Sequence, residues 1–269
     1  MRQQSSLARL LASAALTAIL AAGLGGCQTM SDITGSITSK AEAKPESDPH
    51  RAVEVYGERY RADPKNAEAA LAYGQALRAT GQRSQAVAML EQATIAHPGD
   101  KALLAGYGRA LADNGNFQQA FDVLGRAHSP DNPDWRILSV QGTALDQLGR
   151  HEEARRYYAS ALKIVPDEPS VLSNLGLSYV LSKDLPKAEE ILRQAHASTK
   201  ADARVRQNLG LVVGLQGRFA EAEQIVRADL PAEEAAANVA YLKQMLDRKD
   251  DLRKGPRVRL PVASLSRPE

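Results

Sequence analysis

Five glycines recur at one interval: Gly74, Gly108, Gly142, Gly176 and Gly210 stand 34 residues apart. Ala86, Ala120, Ala154, Ala188 and Ala222 keep the same spacing. Two looser columns run beside them, Gly81, Gly115, Gly149, Lys183 and Gly217, then Ala93, Ala127, Ala161, Ala195 and Asp229. Glycine is roughly 7% of ordinary sequence, so four more in register with a first have a chance on the order of 10⁻⁵. A fixed period of this size makes each unit one supersecondary element that buries its apolar face only against its neighbours.

A 34-residue unit with these columns resembles the tetratricopeptide repeat (TPR), in which helix A turns back into helix B. The resemblance implies an all-α fold, a TPR α-solenoid formed as a right-handed superhelix of antiparallel helix pairs. The small residues have a physical job in such a unit. The first glycine column lies inside helix A, where glycine costs about 1 kcal/mol against alanine. That cost is tolerable where helix B of the same unit comes too near for a Cβ, and the alanine column makes the matching approach. The second glycine column falls where helix A stops and suits a left-handed residue just past the helix end. Lys183 breaks this column, so its turn is either strained or differently shaped. Aromatic residues are only 4% of the chain, which leaves alanine and leucine to fill the core.

The register gives five repeats over 67–236, at 67–100, 101–134, 135–168, 169–202 and 203–236. Pro64, Pro98 and Pro166 mark ends of helix B. In the second unit Asn132-Pro133 comes one place late, and in the fourth Lys200 replaces the proline. One period back, Ala52, Tyr56 and Pro64 match the helix B columns while 33–48 shows no helix A, so an orphan helix is expected within 50–66. After Pro231 a stripe of Val239, Leu242, Met245 and Leu246 predicts a closing helix from about 232, its capping body at 237–249. A polar outer face there keeps a stacked array soluble. The remainder, 250–269, with Pro256, Pro261 and Pro268, reads as a disordered tail.

The beginning of the chain is an address. Residues 1–9 carry Arg2 and Arg9 and no acid, and 10–24 are apolar or small apart from Ser13 and Thr17, the pattern of a signal peptide. Leu24-Gly25-Gly26-Cys27 follows and resembles the bacterial lipobox. That resemblance implies a lipoprotein signal peptide over 1–26 and acylation of Cys27. The alternatives are a chance cysteine after an ordinary secretory signal and a short membrane anchor, although the apolar run falls short of the ~20 residues a span needs. Two or more acyl chains anchor stably where one does not. Gln28 stands where enterobacterial lipoproteins kept at the inner membrane carry Asp, which implies an outer-membrane, lipid-anchored, periplasm-facing protein. Residues 27–49 are polar and aperiodic and read as a flexible tether. Cys27 is the only cysteine, so the fold stands without an intramolecular disulfide.

Chemistry-bearing motifs are few. Ser160-Ala161-Leu162-Lys163 matches S-x-x-K, but its S-D-N and K-T-G companions do not occur and Ala161 belongs to a packing column. The run from His151 to Arg155 begins like a zinc-protease helix and lacks the second histidine. His50, His97, His128 and His196 share no metal-ligand spacing. We therefore expect no catalytic residue, no metal and no cofactor, and a chain that is not an enzyme. The net charge of +2 gives no dominant basic face of the kind nucleic-acid binders display.

What the repeat offers instead is a groove. In the TPR family, binding residues sit on the inward face of helix A. By register that face carries Gln75 and Arg78 in the first repeat, Arg109 in the second, and Arg136, Ser139 and Thr143 in the third. The fourth and fifth bring Ser173, Asn174, Leu177, Gln207, Asn208 and Leu211. Asn174 and Asn208 lie one period apart, each in an Asn-Leu-Gly triplet. Side-chain amides both donate and accept, so the pair either reads the backbone of an extended peptide or is simply usual at this repeat position. Arg109 and Arg136 either meet an acidic segment or stand solvated. Trp135 is expected to plug the irregular junction before the third repeat.

A lipobox followed by five such repeats, at this length, resembles the TadD family of tight-adherence (Tad) pilus assembly lipoproteins. That resemblance implies an adaptor in Flp/Tad pilus assembly and secretion, pilotin-like, whose protein partner is a secretin or another Tad component. A scaffold lipoprotein recruiting peptidoglycan-processing enzymes is the other reading.

Overall fold

The structure, a computed structural model, describes residues 48–129 and 131–254, and the side chains as far as 248. The lipobox, Cys27, most of the tether and residues 255–269 lie outside the described residues. Within them the chain forms twelve helices and no named strand. They are α1 (Pro49–Ala62), α2 (Ala67–Ala79), α3 (Arg83–Ala96), α4 (Lys101–Asp113), α5 (Phe117–Ala127) and α6 (Trp135–Gln147). Then come α7 (His151–Ile164), α8 (Pro169–Leu181), α9 (Leu185–His196), α10 (Ala203–Leu215), α11 (Phe219–Val226) and α12 (Ala232–Lys254). The fold is an all-α solenoid of helix pairs, with α2, α4, α6, α8 and α10 as the A helices and α3, α5, α7, α9 and α11 as the B helices. The orphan helix α1 packs on α2, with Tyr60 stacked on Tyr73 at 5.8 Å between ring centres.

Each A helix begins at a side-chain cap. Asn66, Asp100, Asp134, Glu168 and Asp202 accept backbone N–H groups of the first turns of α2, α4, α6, α8 and α10. These caps are also 34 residues apart. Each satisfies a donor that the helix cannot, which stabilises by about 1 kcal/mol. The A helices end at the second glycine column, where Gly81, Gly115, Gly149 and Gly217 have φ between +74° and +87°. Lys183 has φ +66°. Its turn therefore keeps the shape of the others and carries the strain of an L side chain in the left-handed region.

The first glycine column is where the two helices of a pair touch. A Cβ on Gly74, Gly108, Gly142, Gly176 or Gly210 would fall 2.5–2.6 Å from the side chain of Leu90, Leu124, Tyr158, Leu192 or Val226 respectively. Those five side chains form a further column, sixteen residues after each glycine, and all five are buried. The alanines at 86, 120, 154, 188 and 222 are buried beside them. The core is thus a series of apolar clusters passed from one pair to the next.

The closing helix differs from its expected bounds. It begins at Ala232, the start expected after Pro231 and ahead of the capping body at 237, and continues past 249, taking up residues assigned to the tail. No glycine or proline interrupts 232–254, and Ala235 and Leu242 are buried, Leu242 against Gly214. At the other end, α1 starts at Pro49 behind Asp48, whose carboxylate accepts from the backbone of His50.

Candidate binding groove

Successive A helices touch one another directly: α2 with α4, α4 with α6, α6 with α8, and α8 with α10. Among the described residues the backbones of successive B helices stay apart, and where α9 and α11 meet it is through long side chains, Arg193 reaching Glu221 at 2.5 Å. A row that is in contact on one side and splayed on the other bends toward the contact. The A helices therefore form the inner wall, and their exposed faces are the surface a partner meets.

The structure sorts the residues predicted to face the groove into four groups. Gln75 and Arg109 line an open cleft of about 390 Å³. Arg78 and Arg136 are engaged by neighbours. Arg78 is ion-paired across repeats, its Nε 2.6 Å from Asp113 Oδ2, and Arg136 lies over the Trp135 ring, 4.5 Å from its centre. Trp135 is half-buried and packs on the third-repeat cluster. The third group is asparagines and serines. Asn174 Nδ2 donates to Ser139 Oγ at 3.1 Å, and Asn208 Nδ2 donates to Ser173 Oγ at 2.8 Å. The two bonds are the same bond one period apart, joining α8 to α6 and α10 to α8. Asn208 is buried, 4% exposed. The asparagine pair is thus a clamp between repeats. Gln207 is half-buried beside it.

Thr143, the fourth case, belongs to a polar network that the sequence reading missed. Asp146 is 6% exposed and is met by three side chains from two other helices. Tyr158 OH donates to its Oδ2 at 2.9 Å, Ser178 Oγ to its Oδ1 at 2.8 Å, and His151 Nδ1 lies 2.8 Å from the same Oδ1. Thr143 Oγ1 donates to Ser139 O and stands 3.3 Å from the Tyr158 hydroxyl. Burial and the Asp146 charge push the Tyr158 phenol well above its ordinary range. The signal was a tyrosine in the leucine column with an aspartate twelve residues earlier: a hydroxyl buried at that depth requires an acceptor.

The cleft was missed for a different reason. It is lined on one side by Leu71, Gln75, Lys101, Ala105 and Arg109, and on the other by Ala127, His128, Asn132, Asp134 and Ile137. The second wall exists because α5 is 11 residues long where α3 and α7 have 14. At His128 the backbone becomes extended, φ −136° and ψ 173°, and Ser129 bridges to Asn132. The late Asn132-Pro133 was the trace of this change in the sequence. His128 Nε2 sits 3.2 Å from Gln141 Oε1, and its Nδ1 is buried with no partner among the described residues. Burial, and secondarily Arg78, hold the Arg109 guanidinium below the usual arginine range.

The motifs considered for catalysis sit elsewhere. Ser160 Oγ donates to Arg156 O at 3.0 Å, and Ser160 and Lys163 are both exposed on α7. His151 is held by Asp146. Among the described residues no three His, Cys, Asp or Glu side chains could together hold a metal ion. No described helix is long and apolar enough to cross a membrane.

A one-dimensional stack of helix pairs with a continuous inner wall defines a class, the helical-repeat modules that hold other proteins. The tetratricopeptide-repeat family model matches residues 46–110, 111–176 and 145–212, together more than half of the chain. The chain belongs to the tetratricopeptide-repeat family, whose domains bind protein partners and are in general non-catalytic scaffolds. Among solved structures, a chain of the APC/C hetero-tetramer Cut9–Hcn1 is similar at 18% identity and a TM-score of 0.62. The match covers 76% of this chain but only 41% of that one. A thermophilic TPR protein of Thermus thermophilus is similar at 23% identity and a TM-score of 0.56, over 68% of this chain and 98% of that one. Both likenesses concern the fold alone. No curated protein matches the sequence.

Proposed function

We propose that this chain is a lipid-anchored adaptor of the bacterial envelope that holds a protein partner against its A helices, in the setting of Flp/Tad pilus assembly. The observation that carries the adaptor reading is the unbroken inner wall, built from five A helices that each touch the next. The anchor reading rests on Leu24-Gly25-Gly26-Cys27 behind an apolar, acid-free leader. Acylated at Cys27, the protein would stand at the inner leaflet of the outer membrane with its groove in the periplasm. The pilus setting rests on the resemblance of lipobox plus repeats to TadD lipoproteins, and it makes a secretin or another Tad component the partner. Tethering both molecules to one surface raises their local concentration, so a groove of modest affinity suffices.

Two measurements test this. The Cys27→Ser variant is expected in the soluble periplasmic fraction. Its retention with outer membranes would sink the anchor. Deletion of the gene is expected to abolish secretin multimers, with recovery on re-expression. Intact multimers together with co-purification of a peptidoglycan hydrolase would move the protein to the scaffold reading.

A further inference from the structure

We propose that the cleft between α2, α4 and the loop leading into α6 is the specificity site of the groove, and that it seats an acidic side chain of an extended protein segment on Arg109. The inference rests on the adaptor reading and names the chemistry of its partner.

Arg109 is half-buried, and its guanidinium has no hydrogen bond and no carboxylate at ion-pair distance among the described residues. The cations around it are not balanced at this spot. Arg78 and Arg136 both act against the Arg109 charge. Asp113 and Asp134 favour it from a distance, but Asp113 is paired with Arg78 at 2.6 Å and Asp134, on the opposite wall beside the cap of α6, is outnumbered in the cleft by Arg109 and Lys101. A half-buried guanidinium with no carboxylate at ion-pair distance leaves its hydrogen-bonding capacity unmet, which is costly in a folded chain. An incoming carboxylate offsets that cost and offers the two parallel acceptors a guanidinium fork fits. Gln75, which also lines the cleft, can donate or accept toward the segment's backbone. Leu71, Ala105 and Ile137 supply apolar floor for the methylenes of a glutamate or for its neighbour. No Phe, Tyr or Trp side chain lines the cleft, and the buried His128 ring, held at Gln141, offers a nucleic acid no open stacking platform, which favours a protein segment.

The test uses the full chain in detergent micelles and a fluorescent, end-blocked peptide in which glutamates alternate with leucine and serine. The control peptide has every glutamate replaced by glutamine. Fluorescence anisotropy is expected to show the glutamate peptide binding about tenfold or more tighter than the control, with affinity falling as salt rises. Arg109→Gln should remove that preference, Arg109→Lys should retain part of it, and Arg126→Gln, on exposed surface of α5, should leave it intact. Circular dichroism confirms that each variant is folded. Equal affinity for the two peptides, full binding by Arg109→Gln, or equal competition by an oligothymidylate would overturn the proposal. Any of these with secretin multimers still dependent on the gene would leave the adaptor role standing and remove only this site.

Discussion

The column of left-handed turns contains one residue of the wrong kind, and it shows how strictly the repeat controls its backbone. Lys183 adopts φ +66°, although an L side chain there is disfavoured by roughly 1–2 kcal/mol. Lys183→Gly is therefore expected to stabilise the protein by about 1 kcal/mol in urea unfolding, while Lys183→Ala gains little, since alanine keeps the Cβ that causes the strain. The opposite change, Gly142→Ala, would place the new methyl 2.6 Å from the Tyr158 ring. It is expected to destabilise by about 1–3 kcal/mol, the cost of overpacking a tight contact. Glycines and alanines were legible in the sequence because the same close approach recurs in every pair and only one residue type meets it. The caps Asn66, Asp100, Asp134, Glu168 and Asp202 were not, because any side chain with an oxygen on a short stem serves there and the identity drifts. The Asp146 network was hidden for another reason. His151, Tyr158 and Ser178 reach one carboxylate from two other helices, and in the sequence only the odd tyrosine in the leucine column points to it.

Among the helices, two fall short of the pattern, and only one of them is compensated by a polar contact. α11 has 8 residues, so position 229 falls outside it and the alanine column ends in an aspartate. Asp229 instead takes a two-pronged ion pair from Arg206, whose Nε lies 2.6 Å from Oδ2. α5 stops early and leaves the cleft beside Arg109. Helix ends of this kind depend on where the chain is pulled by the next element, which a column of residues does not record. Between α9 and α11 the join is charged. Glu189 meets Arg218 and Arg193, and Gln216 Nε2 donates to it at 2.8 Å. The Arg218 hydrogen bond foremost holds the Glu189 carboxyl at about 2, below its ordinary 4.5. A carboxyl depressed on folding stabilises fully above its unfolded pKa, and that contribution disappears as pH falls toward the folded one. Wild-type protein should thus lose more stability between pH 4.5 and pH 2 than Glu189→Gln, read as urea midpoints across that interval. Parallel curves for the two proteins would show that the join contributes nothing.

At the scale of the whole molecule, the backbone contacts among the described helices are local: neighbour to neighbour in the chain, or one A helix to the next, apart from α12, which reaches both α10 and α11. Arrays of this kind need their last apolar face covered, and α12 covers it with Ala235 and Leu242. Truncation after Pro231 is expected to lower the thermal midpoint and to produce concentration-dependent association in sedimentation velocity. A truncated protein that stays monomeric with an unchanged midpoint would deny α12 that role. The number and order of repeats were legible from periodicity alone, and the start of the closing helix followed from Pro231. Its end was misplaced because the charged run 247–254 reads as a tail, although Gly255-Pro256 directly beyond it is a stop signal.

The one-sided contact between A helices has a mechanical consequence. Since the backbones of successive B helices stay apart and only side chains such as Arg193 and Glu221 bridge them, tension applied between the two ends would widen those gaps while the opposite row acts as a hinge line. Small rotations at each junction add along the stack, so the molecule lengthens and recoils like a leaf spring without any helix unwinding.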